Sequence, residues 1–212
     1  NRISSSGYVY DSNGNLTTMP YGAGSMTLTY DIENRLLQAV NSNGTEQYGY
    51  SPDNRRVYQK LPSGSGGSQW IHFYGANGDR LRTYTYYGNG LFQVLKTNVY
   101  FAGRLTWQNN NPTFIDRLGS DRRFTRYYPY GEEYTATTND KDKFATYFRD
   151  SSTGLDYALN RYYGNSMGRF LTPDPSRRFN PADPRSLNLY SYTGMVCTGS
   201  SWGVTMLDSE MS

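Results

Sequence analysis

VYDSNGNL (residues 9–16), TYDIENRL (29–36) and GYSPDNRR (49–56) set Tyr10, Tyr30 and Tyr50 at intervals of 20 residues. A fixed period of this length marks a stack of small repeated units, each supported by its neighbours. Weaker copies follow in FYGANGDRL (73–81) and VYFAGRL (99–105), with the spacing stretched by loops such as SGSGGS (63–68). Each unit reads as strand, turn, strand. In MTLTY (26–30) the apolar Met26, Leu28 and Tyr30 alternate with Thr27 and Thr29, the period of a half-buried strand. Asp11-Ser12-Asn13-Gly14 and Asn41-Ser42-Asn43-Gly44 supply residues that tolerate left-handed backbone and bond locally, as tight hairpin connections require. The chain then resumes with Leu16, with Leu36 and Val40, or with Val57 and Tyr58. No segment carries a helical period. The expected fold is all-β: antiparallel hairpins stacked side by side into a curved sheet.

Composition agrees with thin, half-wet sheets. Of 212 residues only 36% are hydrophobic, yet 22 are tyrosine. A tyrosine ring can be buried where its hydroxyl finds a partner, and such an aromatic content is foreign to disordered chains. The 21 basic and 18 acidic residues leave a formal charge of +3 spread along the chain, a weak drive toward nucleic acid, which is not expected as a partner. Cys197 is the single cysteine and His72 the single histidine, so neither an intrachain disulfide nor a zinc centre is expected, and no cofactor is implied. His72 reads as an imidazole on a strand beside Trp70 and Phe73. No stretch approaches the roughly 18 apolar residues of a membrane span. The opening Asn-Arg-Ile, without initiator methionine or leader, reads as an interior cut from a longer polypeptide.

The tyrosine–aspartate units, with their Asp or Asn turn, glycine and following Asn-Leu or Arg-Leu, resemble the YD repeats of the RHS (rearrangement hot spot) family. FIDRLGSDRRFTRYYPYGEE (114–133), KFATYFRDSSTGLDYALNRYYGNSMGRFLTPDP (143–175) and NPADPRSLNLYSY (180–192) resemble that family's repeat-associated core. The matching positions include Arg161-Tyr162-Tyr163, Gly168-Arg169-Phe170, Asp174-Pro175 and Tyr190. The resemblance divides the chain into a YD-repeat array (1–112), an associated core (113–193) and a divergent tail (194–212). In the repeats the motif positions are Tyr10, Asp11, Gly14, Tyr30, Asp31 and Tyr50. It implies a hollow β-shell, built with upstream repeats of the same polypeptide and capped by the core, that encloses a C-terminal passenger, often a toxin, in a secreted or cell-surface protein. In many members the core is also an aspartyl autoprotease that frees the passenger, with two carboxylates sharing a proton; by resemblance Asp174 is the candidate for one of them. The pattern departs after Tyr192, where TGMVCTGSSWGVTMLDSEMS replaces the family's cleavage sequence. Asp183, in a Pro-Ala-Asp-Pro insertion, and Asp208, in the tail, do not supply a secure second carboxylate.

LNRYYGNSMGRFLTPDP (159–175) can be read from its residues alone. Tyr162 and Tyr163 should point to opposite faces of one strand, and a turn over Gly164 to Gly168 should return Phe170 and Leu171 to the apolar layer. Arg169, buried beside tyrosines, should stack on a ring or fork onto Asp156 or Asp174. Pro173 and Pro175 fix the backbone on either side of Asp174, which then serves as a structural hydrogen-bond anchor or as a positioned acid. A binding alternative rests on the aromatics. Trp70, Trp107 and the Tyr84, Tyr86, Tyr87 cluster offer flat rings for a cell-surface glycan, against the simpler reading of cross-strand aromatic pairs.

Overall fold

A computed structural model describes residues 1–65, 67–123, 125–176, 180 and 184–192. Asp183, Cys197, Asp208 and the tail 194–212 lie outside the described residues. The chain is all-β, in two antiparallel sheets. The larger has eleven strands in sequence order, each paired with the next: β1 (Val9–Tyr10), β2 (Leu16–Tyr21), β3 (Gly24–Tyr30), β4 (Leu36–Asn41), β5 (Gly44–Tyr50), β6 (Arg56–Lys60), β7 (Gln69–Tyr74), β8 (Arg80–Tyr86), β9 (Phe92–Phe101), β10 (Arg104–Gln108) and β11 (Asn111–Pro112). The smaller has five: β12 (Lys141–Asp142), β13 (Phe148–Arg149), β14 (Asp156–Ala158), β15 (Arg161–Gly164) and β16 (Arg169–Phe170). Neither closes into a barrel.

The repeat motif builds a five-residue turn held by its own aspartate. The amide of Asp11 bonds the carbonyl of Asn15, that of Asp31 bonds Arg35, and that of Ser51 bonds Arg55. The carboxylate of Asp11 accepts from the Asn15 amide at 2.8 Å, and that of Asp31 from the Arg35 amide at 2.9 Å. The fourth residue of each turn is left-handed, which is why Gly14 (φ 94°), Asn34 (63°) and Asn54 (63°) stand there. Gly14 answers a second constraint as well, because a Cβ there would lie 2.7 Å from the hydroxyl of Tyr190.

The motif tyrosine sits at a β-bulge. Ladder register shifts between Thr29 and Tyr30, between Gly49 and Tyr50, and between Phe73 and Tyr74. The extra residue changes the spacing of inward positions on the following strand from two to three, so Leu16 and Met19, Leu36 and Ala39, and Arg56 and Gln59 all point inward. Val40 and Tyr58 consequently face outward. From the bulge the tyrosine ring reaches back across the sheet. Tyr30 donates to the Leu16 carbonyl at 2.9 Å, Tyr50 to Leu36 at 2.7 Å and Tyr74 to Arg56 at 2.8 Å. Each hydroxyl therefore ties one hairpin to the preceding one, and the partner that a buried tyrosine requires is the neighbouring repeat. Met19, Met26, Leu28 and Leu36 of the first hairpins join Phe148, Leu155, Tyr157, Tyr162 and Leu171 of the second half in one core.

Substituting Tyr50→Phe removes one inter-repeat bond and keeps the ring, so it should lower unfolding stability by about 1 kcal/mol. Tyr87→Phe, on an exposed ring, should change little. Urea titration of both variants measures the difference.

Candidate functional site

The inner face of the large sheet changes character along its length. On β2 to β4 it is aliphatic; from β5 onward it presents Glu46, Arg56, Gln59, His72, Arg80, Thr83 and Asn98, all buried. These groups meet the smaller sheet along a seam of charge. Arg56, with none of its side chain exposed, donates through Nη1 to Asp150 Oδ2 at 2.7 Å and to the Tyr162 hydroxyl at 2.8 Å. Its guanidinium carbon lies 4.5 Å from the Tyr157 ring centroid and 5.3 Å from that of Tyr48, so aromatic faces cover what the carboxylate does not. Arg80 forms the parallel clasp with Asp142 at 2.5 Å, and Gln108 donates to the other oxygen of that carboxylate at 2.7 Å.

A directed hydrogen-bond chain crosses four strands beside the first clasp. Gln59 Nε2 donates to Glu46 Oε1 and, at 3.2 Å, to Asp150 Oδ1. Gln59 Oε1 can only accept, so His72 Nε2, 3.3 Å away, carries a proton, and His72 Nδ1 is hydrogen-bonded to the Thr83 hydroxyl at 2.9 Å. Burial and the nearby cations Arg56, Arg80 and Lys96 hold the His72 pKa well below its ordinary value, which favours the neutral imidazole with Nδ1 as acceptor. Burial first, and the charge of Asp150 second, push the Glu46 carboxyl up to about 9, so Glu46 is protonated at neutral pH. Asp150 is also raised by burial, against the opposing pull of Arg56. In the smaller sheet Asp156 takes a bidentate bond from Arg149, at 2.6 and 2.8 Å; burial lifts its pKa to about 6. The seam is closed to solvent, and its chemistry is that of a clasp: it holds two sheets in one register. Among the described residues no group of three or more His, Cys, Asp or Glu is placed to hold a metal.

Tyr162 and Tyr163 do take opposite faces, Tyr162 in the seam and Tyr163 in a second aromatic cluster with Phe144 and Phe170. Tyr163 donates to the Tyr130 carbonyl at 3.0 Å. Phe170 and Leu171 return to the interior. Of the two arrangements expected for Arg169, a ring or a carboxylate, the structure has the ring, because Asp156 is held by Arg149 and Asp174 faces Arg161. It stacks on Tyr190, 5.7 Å from the ring centroid. Arg161 lies 3.7 Å from the Phe170 centroid and 3.9 Å from Asp174 Oδ2. Asp174 is part-exposed, and its Oδ1 caps the Ser176 amide at 2.8 Å; its own amide donates to the Leu189 carbonyl at 2.8 Å. Of the four aromatics read as glycan contacts, alternation along β7 turns Trp70 inward, where Lys96 Nζ sits 4.9 Å from its ring. Tyr84, Tyr86 and Trp107 face outward, with Tyr84 edge-on to Phe73 at 5.3 Å and Tyr86 against Phe92 at 4.9 Å.

No protein-family model matches the chain. It is similar to the tRNA3(Ser)-specific nuclease WapA of Bacillus spizizenii, 26% identical over 206 residues that take in 86% of this chain and 8% of that protein. Its fold is similar to that of a chain in the crystal structure of TcdB2-TccC3, with a TM-score of 0.60 and 22% identity over 86% of this chain. It is similar also to one in the Photorhabdus luminescens Tc holotoxin pore bearing the TccC3-D651A mutation, with a TM-score of 0.57 and 21% identity over 86% of this chain. In both, the match covers 10% of the solved chain. The present chain thus spans about a tenth of the length of the proteins it resembles.

Glu46 gives the seam a pH dependence of definite sign. Its folded pKa lies above its ordinary value of 4.5, so the folded state holds a proton that the unfolded chain has released, and the associated stability is lost as pH rises from there through about 9. Glu46→Gln, an uncharged isostere facing Gln59, Arg56, Asp150 and Asp140, should gain in melting temperature relative to the unsubstituted chain as pH is raised from about 5 to about 9. An offset that is the same at both pH values would show that Glu46 keeps an ordinary pKa.

Proposed function

We propose that this chain is a structural segment of a toxin-related β-shell: its hairpin array continues the enclosure formed by upstream repeats of the same polypeptide, and its smaller sheet closes that enclosure around a C-terminal passenger. The observation that carries the reading is the charged seam. It fastens a second sheet to the inner face of an eleven-stranded hairpin sheet built in strict sequence order, an arrangement suited to capping an open stack. The fold shared with chains of the TcdB2-TccC3 structures supports it, as does the small share of those chains that this one spans. On this reading the complete protein is secreted.

The chain itself turns over no external substrate. In the autoproteolytic alternative Asp174 would need a carboxylate partner, whereas its neighbours among the described residues include the Arg161 guanidinium and the Ser176 amide. The structural anchor is the role those contacts support. Electron microscopy of the full-length polypeptide that contains this chain should show a hollow particle with internal density contributed by sequence following residue 212. A solid particle, or a passenger digested by added protease as fast as the isolated passenger, would refute encapsulation. Asp174→Asn should leave the band pattern of the expressed protein unchanged.

A further inference from the structure

The outer face of the large sheet also changes character, in the opposite sense to the inner one. On β2 to β5 it carries Thr18, Thr27, Thr29, Gln38, Thr45 and Gln47 around Val40, a mostly polar surface. On β7 to β10 it carries Phe73, Phe92, Val94, Val99, Phe101 and Trp107, each large and between 43% and 77% exposed. Ladder partners show that these belong to adjoining rows: Tyr58, Ile71, Tyr84 and Val94 lie in register across four strands, and Val99 lies beside Trp107. Contiguous apolar surface of this kind marks a binding face. Within its strands the charge is one-sided. Strands β6 to β10 contain no Asp or Glu, while Lys60, Arg82 and Arg104 point outward from β6, β8 and β10.

We propose that this outward face docks onto an anionic lipid headgroup layer. The charge pattern and the aliphatic side chains select that occupant. A second copy of the chain, packed face to face, would oppose like cations with no carboxylate to pair them. Glycans and single-stranded nucleic acids use the flat rings, but gain little from Val94 and Val99, and a nucleic acid with a charge on every nucleotide asks for a denser line of cations. A lipid interface uses all three components: Phe and Val side chains enter the headgroup boundary, Trp107 and Tyr84 sit at its polar level, and the cations meet negative headgroups. The contact proposed is peripheral, made by side chains of one sheet face.

Flotation of the 212-residue chain with vesicles of phosphatidylcholine alone and of about 7:3 phosphatidylcholine to phosphatidylserine tests this, with competition by hyaluronan and by oligodeoxythymidylate. Binding is expected to the anionic vesicles, to weaken roughly fivefold in Arg82→Gln, and to be lost in Phe92→Ser/Phe101→Ser, whose melting temperature reports that the variant still folds. Trp107 emission should shift to the blue on binding, a change absent from Trp107→Phe. The proposal is overturned by failure to float with anionic vesicles, by equal binding to neutral ones, or by release of the protein from vesicles by either competitor. Concentration-dependent dimerisation abolished by Phe92→Ser/Phe101→Ser would likewise overturn it in favour of a second copy.

Discussion

Arg56 is a guanidinium with no exposed surface, and the arrangement of the two sheets follows from its need for a partner. In the repeat it occupies the position held by Leu16 and Leu36 in the two preceding units, and Arg80 occupies it in the next. Two repeats thus bury a leucine at this point and two bury a cation. A cation withdrawn from water is tolerated only where a carboxylate and further hydrogen bonds replace the lost hydration. Asp150 and Asp142, from the second half of the chain, provide the carboxylates for Arg56 and Arg80 respectively, and the Tyr162 hydroxyl adds a bond to Arg56. The aliphatic end of the array can pack on apolar surface in several ways, but the charged end accepts one register. The seam is therefore better understood as specifying how the two sheets meet than as a large source of stability, since a well-packed apolar contact would serve the latter equally.

Much of the hairpin array was legible from the sequence. The 20-residue recurrence of Tyr10, Tyr30 and Tyr50, the Asp, Asn and Gly turns and the alternation in MTLTY identify strands and connections. The requirement that a buried tyrosine hydroxyl find a partner anticipates the bonds to Leu16 and Leu36. Less legible was the bulge at each motif tyrosine, which shifts the inward set by one residue and turns Val40 and Tyr58 outward. Period-two reading alone misses it, although the recurring three-residue gap between Leu16 and Met19, or Leu36 and Ala39, carries the signal.

The seam was the least visible part. Glu46, Gln59 and His72 look like surface residues until the parity set by Met26 and Leu28 is carried across the ladder, which places them inward. The carboxylate that Gln59 and Arg56 share, Asp150, lies 91 and 94 positions away in the second half, and pairing at that separation leaves no local trace. The same limit explains Arg169. Stacking on a ring was one of its two expected arrangements, but which ring was not legible: Tyr190 is brought to it by the return of the chain, while Asp156 and Asp174 face other arginines. The two faces of the large sheet exchange roles along its length, with charge buried inside where apolar groups are exposed outside. A sheet that served only to bury its own core would show the reverse, and the exchange is what points to partners on both sides.

A double-mutant cycle between Arg56 and Asp150, using Arg56→Met, Asp150→Asn and the two combined, with unfolding followed in urea, tests the clasp most directly. The account predicts that each single substitution costs on the order of 3–5 kcal/mol and that the double variant recovers at least about 2 kcal/mol of the summed loss. Simple additivity would mean that the two side chains do not depend on one another, and that the sheets are held together by something other than the buried pair.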